Sequence, residues 1–289
     1  MIRTLKSAAG RFVGSIRNAI SEAGARRNSP FGTEKFEQRA PDHRNAIELF
    51  AGRWATDLSS LNAEWRGGGA NLVDDTRPRL AAQYLGTGSG RIDGMSVLEL
   101  GPLEGLHSRQ LEQLGASRVL AIEANAEAYL KCLIMKETLG MRNVNFMLGD
   151  FNLFLANASQ QFDLVFCVGV LYHMEDPLKL IRNIARSTDK CFVWTHYHDI
   201  NQPMSREPSS VLVDGFSATY FRSPYRDRAQ PHFWGGNKSS SSWMQRDDIV
   251  AAFRHFGFER VDIINDEPNG ANGPNFCLAA SRSASPKPN

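Results

Sequence analysis

The fold is decided by one short stretch, VLELGPLEG, at Val97–Gly105. It predicts a buried strand that turns at Gly101 and then continues past Gly105 into a helix over Leu106–Leu114. A second apolar strand, which also ends in an acid, is predicted over Val119–Glu123. Strand, glycine turn, helix and strand form the opening unit of a nucleotide-binding α/β sheet, in which ligands bind outside the carboxyl ends of the strands.

The glycine turn favours a ligand that contains a ribose and a base but no phosphate. A dinucleotide-binding fingerprint has a glycine at its middle position, where the backbone approaches a pyrophosphate. Here that position is Leu103, and Pro102 has no N–H to donate to a phosphate. Gly101 leaves room above the strand end, and Glu123 is placed to accept hydrogen bonds from both ribose hydroxyls. S-adenosylmethionine is such a ligand, and an ordinary turn without a ligand is the alternative.

The composition indicates one α/β core with an appendage and does not favour a nucleic-acid partner. Of the 289 residues, 42% are hydrophobic and 22% are charged, and the formal net charge is +2. The four cysteines form no C-x-x-C pair, so we expect reduced thiols in a cytoplasmic protein rather than disulfides or zinc. No apolar run approaches the roughly 18 residues that a membrane span needs.

Residues 1–94 are predicted to form a basic segment followed by helices that cover the core. Within residues 1–28, five arginines and Lys6 stand against a single acid, Glu22, and apolar residues recur at near-helical spacing. This segment could contact an anionic membrane surface, act as an import sequence, or pack on the domain or on a homodimer partner. Helices are predicted over Asn45–Leu61 and Arg77–Leu85.

Two further strand ends supply candidate binding residues. The third predicted strand ends before Asp150, which can accept from the exocyclic amine of an adenine, and Phe151, which can stack on the ring. The fourth strand, Phe162–Val168, ends at Gly169. His173 follows this turn and is a candidate general base, with a structural histidine as the alternative.

The least regular part of the sequence is residues 197–242, a long segment dense in aromatic residues. We predict a substrate-binding insertion or lid, because a loop of this length in a compact domain is usually functional or disordered, and aromatic density argues against disorder. His196, at the end of the fifth strand, is a second candidate base. Together with His198 and Asp199 it could suggest a metal site, but no further ligands occur at a recognisable spacing, so no metal is predicted.

The order of these motifs resembles that of the class I S-adenosylmethionine-dependent methyltransferases. The resemblance covers roughly residues 95–280, which would form the cofactor-binding domain, with residues 281–289 as a disordered tail. It implies a doubly wound, seven-stranded, mostly parallel sheet, the Rossmann-like methyltransferase fold, with an antiparallel last strand and an N-terminal helical extension. The residues that it implies for cofactor binding are Glu99, Gly101, Gly105, Glu123, Asp150, Phe151 and Gly169.

The resemblance implies an S-adenosylmethionine-dependent methyltransferase, and we expect O-methylation of a small molecule or sugar with His173 and His196 as catalytic residues. The run Gly169–His173 also resembles the enzymes that modify wobble uridine with a carboxymethyl donor. Such a donor requires a cation facing its extra carboxylate. The sequence offers several arginines in the insertion without assigning one: Arg206, Arg222, Arg226 and Arg228. A non-catalytic binding module on the same fold is the third possibility.

Overall fold

The computed structural model describes residues 36–157, 159–201, 208–225 and 235–282. The predictions for residues 1–28, for the end of the tail, and for parts of the 197–242 segment therefore lie outside the described residues.

The chain divides into two units, residues 1–51 and residues 52–289. The described part of the first unit contains helix α1 (His43–Glu48), whose N-cap Asp42 accepts a hydrogen bond from the backbone N–H of Arg44. The helix predicted over Asn45–Leu61 is wrong in its extent, because turns follow α1 and Gly52 has a φ of 73°. A left-handed residue of this kind ends a helix.

The second unit carries the sheet. Its helices are α2 (Arg77–Leu85), α3 (Leu106–Gln113), α4 (Ala126–Thr138), α5 (Phe151–Asn157), α6 (Pro177–Ser187) and α7 (Arg246–His255). Its first five strands are β1 (Ser96–Leu100), β2 (Arg118–Glu123), β3 (Val144–Leu148), β4 (Leu164–Val168) and β5 (Lys190–His196). The later strands are β6 (Pro208–Val213), β7 (Phe216–Pro224), β8 (Ser240–Trp243), β9 (Arg260–Glu267) and β10 (Asn275–Ser281).

The main sheet has seven strands in the order β3-β2-β1-β4-β5-β10-β9. Strands β1 to β5 pair in parallel, whereas β10 pairs antiparallel with both β5 and β9. The predicted fold, a mostly parallel sheet with an antiparallel last strand, is confirmed. The strand order reverses between β1 and β4, and ligands bind in the crevice at such a reversal.

The centre of the sheet is covered on both faces, as the unbroken apolar sequence of β4 predicts. Every residue of β4 is buried. On one face Phe166 stacks on Phe192 of β5, with ring centroids 5.6 Å apart. Helix α6 begins at Pro177, where a missing N–H costs nothing, and Asp176 caps it by accepting from the N–H of Lys179. These contacts fix the turn between β4 and α6.

The expectation of an irregular segment over residues 197–242 is wrong for most of the residues described there. Strands β6, β7 and β8 form a separate three-stranded antiparallel sheet. The hairpin between β6 and β7 turns at Asp214 and Gly215, which have φ values of 44° and 84°. Both residues of a tight hairpin turn need positive φ, and Asp-Gly is a strong signal for it. The serines in β6 and β7 made these segments look like a loop in the sequence, so the hairpin was not predicted from its Asp-Gly turn.

Within the described residues, no helix is long and apolar enough to cross a membrane.

Candidate functional site

A cavity of about 660 Å³ opens at the carboxyl ends of β1 to β4. Its volume is typical of a small-molecule site. Six of the residues predicted from the sequence line it: Gly101, Glu123, Asp150, Phe151, Gly169 and His173. Residues from the ends of four different strands therefore line one cavity, which lies at the position where the order of the strands reverses.

The turn after β1 is held in left-handed conformations. Gly101, Leu103 and Gly105 have φ values of 66°, 55° and 79°. Leu103 stands where a dinucleotide fingerprint has its glycine, and a left-handed side-chain residue costs roughly 1–2 kcal/mol. Its N–H donates to Glu123 Oε2 at 3.1 Å, which offsets part of that cost. Gly105 is the N-cap of α3 and packs on Phe146 instead of lining the cavity.

Glu123 ends β2 with a carboxylate that two backbone groups orient. Oε2 accepts from the N–H of Leu103, and Oε1 accepts from the N–H of Asn125 at 2.8 Å. The side chain is nearly buried, and burial raises the pKa of Glu123. Each carboxylate oxygen has a second lone pair. The group can therefore accept from two ribose hydroxyls while it keeps both backbone bonds.

Asp150 and Phe151 lie where β3 passes into α5. Asp150 Oδ1 accepts from the N–H of Asn152 at 2.8 Å, and Oδ2 accepts from Asn237 Nδ2 at 2.9 Å. Burial opposes ionisation here, but hydrogen bonds from Asn237 and Asn152 lower the pKa of Asp150. Asn237 also lines the cavity. Sequence reasoning missed it, because its contact with β3 is purely tertiary.

Glu99 lies within β1 and is not among the residues that line the cavity. Its side chain is buried and accepts a hydrogen bond from Ser108 Oγ on α3. Burial raises the pKa of Glu99 to about 8. The carboxyl group is therefore mostly protonated at neutral pH, beneath the turn that begins at Gly101.

His173 occupies a short 3₁₀ turn, Leu171–His173, after β4 and lines the cavity. Its Nδ1 lies 3.0 Å from the hydroxyl oxygen of Tyr225. Burial, and then the neighbouring His196, lower the pKa of His173 to about 4. The ring is therefore neutral near pH 7 and can accept a proton.

His196 has different surroundings. It is the last residue of β5, is 7% exposed, and does not line the main cavity. Its Nδ1 lies 3.0 Å from the carbonyl oxygen of Pro274, and a carbonyl can only accept, so this nitrogen carries the hydrogen. The ring stacks on Trp243 at 5.4 Å and meets the edge of Tyr172 at 4.7 Å. The two candidate bases are thus separated by Tyr172.

Within the described residues, no group of three or more histidine, cysteine, aspartate or glutamate side chains could hold a metal ion. His198, which the sequence placed beside His196, stacks on Phe221 at 3.6 Å.

A polar cluster formed by Asp75, Arg77 and His107 reaches the cavity through Arg77 and His107 and was not predicted. Asp75 accepts from Arg77 Nε at 2.8 Å and makes a 2.8 Å hydrogen bond with His107 Nε2. Burial alone would raise the pKa of Asp75, but these two partners hold it well below its usual range. The guanidinium of Arg77 lies 4.7 Å from the ring centroid of Trp194, and Arg77, His107 and Trp194 all line the cavity.

Residues 98–190 match the family model described as "Methyltransferase domain". Among curated proteins, the tRNA U34 carboxymethyltransferase of Campylobacter hominis is 26% identical over 96 residues, which are 33% of each chain. That of Campylobacter curvus is 22% identical over 132 residues, which are 42% of this chain and 41% of that protein. The matches therefore span well under half the length of these relatives.

Two solved structures share the fold over most of the chain. The N-terminal domain of EvdMO1, crystallised in the presence of SAH and D-fucose, is 20% identical with a TM-score of 0.63, over 86% of this chain and 100% of that domain. The magnesium protoporphyrin IX methyltransferase ChlM from Synechocystis PCC 6803, with bound SAH, is 18% identical with a TM-score of 0.50, over 84% of this chain and 100% of that one. At these identities the likeness shows the fold.

Proposed function

We propose that the chain is an S-adenosylmethionine-dependent methyltransferase and that it transfers a methyl group to a hydroxyl oxygen of a small molecule or sugar. The match of residues 98–190 to a methyltransferase domain supports the first part of this proposal. The observation that carries this proposal is the continuity of the cavity. The same space is lined by Glu123 and Asp150 on the cofactor side and by His173 with its aromatic neighbours on the other.

In this proposal Glu123 binds the ribose hydroxyls, and Asp150 and Phe151 bind the adenine. A Cβ at Gly169 would meet no atom within 4 Å, so this turn leaves open space. We assign the methionine part of S-adenosylmethionine to the space between Gly169 and Gly101. When bound, the cofactor supplies a methyl group on a sulfonium, whose leaving group is a neutral thioether.

His173 acts as the general base in this proposal, because a hydroxyl nucleophile must lose its proton as the new bond forms. The imidazole is neutral at working pH, and it lines the same cavity as the cofactor residues. The protein otherwise aligns the acceptor oxygen with the methyl group, and such alignment alone lowers a barrier by several kcal/mol.

The aromatic lining supports a sugar-like acceptor. Tyr172 and Trp194 line the cavity together with His173. The ring centroid of Tyr172 lies 4.0 Å from that of His173 and 6.0 Å from that of Trp194. Flat apolar faces beside a polar group suit a ring that carries both C–H faces and hydroxyls. The EvdMO1 domain was crystallised with D-fucose, which makes D-fucose and its glycosides the first acceptors to assay.

The variant His173→Ala tests this assignment. With D-fucose and related deoxysugars as acceptors, kcat should fall by about 10²–10⁴ at saturating cofactor. Calorimetric affinity for S-adenosylmethionine should stay within about twofold. The wild-type rate should hold constant down to about pH 5 and fall to half near pH 4, where His173 becomes protonated. Full activity of the variant would refute the assignment, and an equal loss of cofactor affinity would make His173 a structural residue.

Carboxymethyl transfer to a wobble-type uridine is the second candidate, and Arg77 is the observation that favours it. This cation lines the cavity beside Trp194, where it could face a donor carboxylate. Asp75 already neutralises much of that charge, and the net charge of +2 gives little support for an RNA partner. Mass spectrometry of the cofactor that co-purifies with the protein separates the two candidates, since a carboxylated donor would establish the second.

A further inference from the structure

We infer that Tyr225 is a positioning residue that fixes the tautomer of His173 and leaves Nε2 as the proton-accepting nitrogen. The inference deepens the proposed function and rests on His173 being the base. It gives the residue that directly follows β7 of the separate three-stranded sheet a part in the chemistry.

Three contacts meet at the hydroxyl oxygen of Tyr225. It lies 3.0 Å from His173 Nδ1 and 3.4 Å from the carbonyl oxygen of the same residue. It also accepts from the backbone N–H of Gly236 at 3.1 Å. The backbone of Tyr225 is fixed in turn, because its own N–H donates to the carbonyl of Ser239 at 3.0 Å.

The single hydrogen of the hydroxyl decides between two arrangements. If it is donated to the carbonyl of His173, the oxygen can accept from both Gly236 N–H and Nδ1–H, and all three contacts become hydrogen bonds. If it is donated to Nδ1 instead, the lone pairs of the hydroxyl and the carbonyl face each other at 3.4 Å. The first arrangement satisfies more polar groups, and unsatisfied buried groups are costly. It places the ring hydrogen on Nδ1 and the lone pair on Nε2.

The approach of Gly236 to His173 holds this arrangement in place. A Cβ at Gly236 would lie 2.4 Å from the carbonyl oxygen of His173 and 3.6 Å from the hydroxyl of Tyr225. A side chain cannot fit at the first of these distances. The segment that leads into β8 therefore contacts His173 directly, and glycine is required there.

A neutral partner suits a base whose pKa is low. In a serine hydrolase a buried carboxylate selects the tautomer of the catalytic histidine and stabilises the imidazolium. A tyrosine hydroxyl selects the tautomer without a negative charge, so it does not raise the histidine pKa. This agrees with the neutral state of His173 that burial imposes.

The test is Tyr225→Phe in the full chain, compared with Tyr197→Phe as the matched control. The control substitution also removes a hydrogen bond, which the hydroxyl of Tyr197 donates to Asp266 at 3.0 Å, but Tyr197 does not line the cavity. For Tyr225→Phe we expect kcat with D-fucose to fall by about tenfold or more, with KM for S-adenosylmethionine within about twofold. The control should retain its wild-type kcat.

Nitrogen-15 NMR of histidine-labelled protein reads the tautomer directly, with the His173 signals identified by their loss in His173→Ala. The wild type should show Nδ1 protonated and Nε2 unprotonated, and Tyr225→Phe should shift the signals toward a mixture. A wild-type spectrum with Nε2 protonated, or wild-type kcat in Tyr225→Phe, would overturn the inference. Full activity of His173→Ala would refute the assigned base instead, while the spectrum would still decide the tautomer.

Discussion

The substitution Glu99→Gln tests whether the carboxyl group beneath the glycine turn is protonated in the native protein. Glu99 is 1% exposed in the central strand β1. Its pKa is raised from 4.5 to about 8, mainly by burial, which outweighs the opposing hydrogen bond from Ser108, with a smaller contribution from the charge of Glu123. Glutamine has nearly the same shape, is neutral at every pH, and keeps an acceptor oxygen for Ser108.

The expected effect is a pH-dependent loss of stability in the wild type that the variant lacks. Below pH 4.5 the carboxyl is protonated in both the native and the unfolded chain, so burial carries no ionisation penalty. Between pH 4.5 and 8 the unfolded chain releases the proton while the native protein keeps it. The free energy of unfolding therefore falls as pH rises through this window. At 1.36 kcal/mol per pH unit, the total loss by pH 8 is about 5 kcal/mol.

Urea unfolding followed by circular dichroism from pH 5 to pH 9 measures this effect. The difference in free energy of unfolding between Glu99→Gln and wild type should rise by about 1.36 kcal/mol per pH unit up to pH 8 and then become constant. The exposed Glu64→Gln serves as the matched control for the loss of a glutamate charge. A difference that does not change with pH would refute the protonated carboxyl.

The same variant separates two roles for Glu99. The family resemblance predicts that it binds the cofactor, whereas its surroundings predict that it packs β1 on α3 through Ser108. A calorimetric titration with S-adenosylmethionine decides between them. Affinity within about twofold of wild type supports the packing role, and a loss of tenfold or more supports the binding role.

Two further substitutions address the turn after β1. Glu123→Ala should weaken S-adenosylmethionine binding by about tenfold or more, because buried ribose hydroxyls would lose their acceptor at a cost of about 1–3 kcal/mol; unchanged calorimetric affinity in the folded variant would contradict this. Glu104→Ala should lower the free energy of unfolding by about 3–5 kcal/mol, because the fully buried carboxylate accepts from the N–H groups of Ala55 and Thr56 and from Lys131. Urea unfolding of Glu104→Ala and of the exposed control Glu64→Ala measures this loss. If Glu104→Ala lost no more free energy of unfolding than the control, the ion pair between Glu104 and Lys131 would not stabilise the fold.

The main sheet was predictable because each of its signals is local. The apolar run of β4 and the glycine after β1 need no distant partner to be interpreted. Glu123 is the last residue of β2, and Asp150 lies two residues after the end of β3. Parallel strands bring their carboxyl ends to one edge of the sheet, so the sequence was enough to place these side chains around one cavity.

The rest of the site depends on partners far apart in the chain. Arg77 reaches the cavity because α2 packs near β4 and β5, which no local pattern encodes. Tyr225 meets His173 across a separation of 52 residues. For the second sheet, the local sequence signal is the Asp214-Gly215 turn. This turn predicts a hairpin, but it does not predict which part of the protein the hairpin packs against.

The two candidate histidines show why a position at the edge of the sheet does not by itself predict access to the cavity. Both follow or end adjacent parallel strands, so both were expected at the site. However, β5 stays paired with β10 up to His196 itself, which lies opposite Asn275, and the ring is enclosed between Tyr172 and Trp243. β4 ends before Gly169, and His173 lies beyond the end of its strand, on a 3₁₀ turn outside the hydrogen-bond ladder of the main sheet. A residue that lies beyond the last backbone hydrogen bond between two strands can face the ligand. A residue whose backbone is still paired with the next strand is held against that strand.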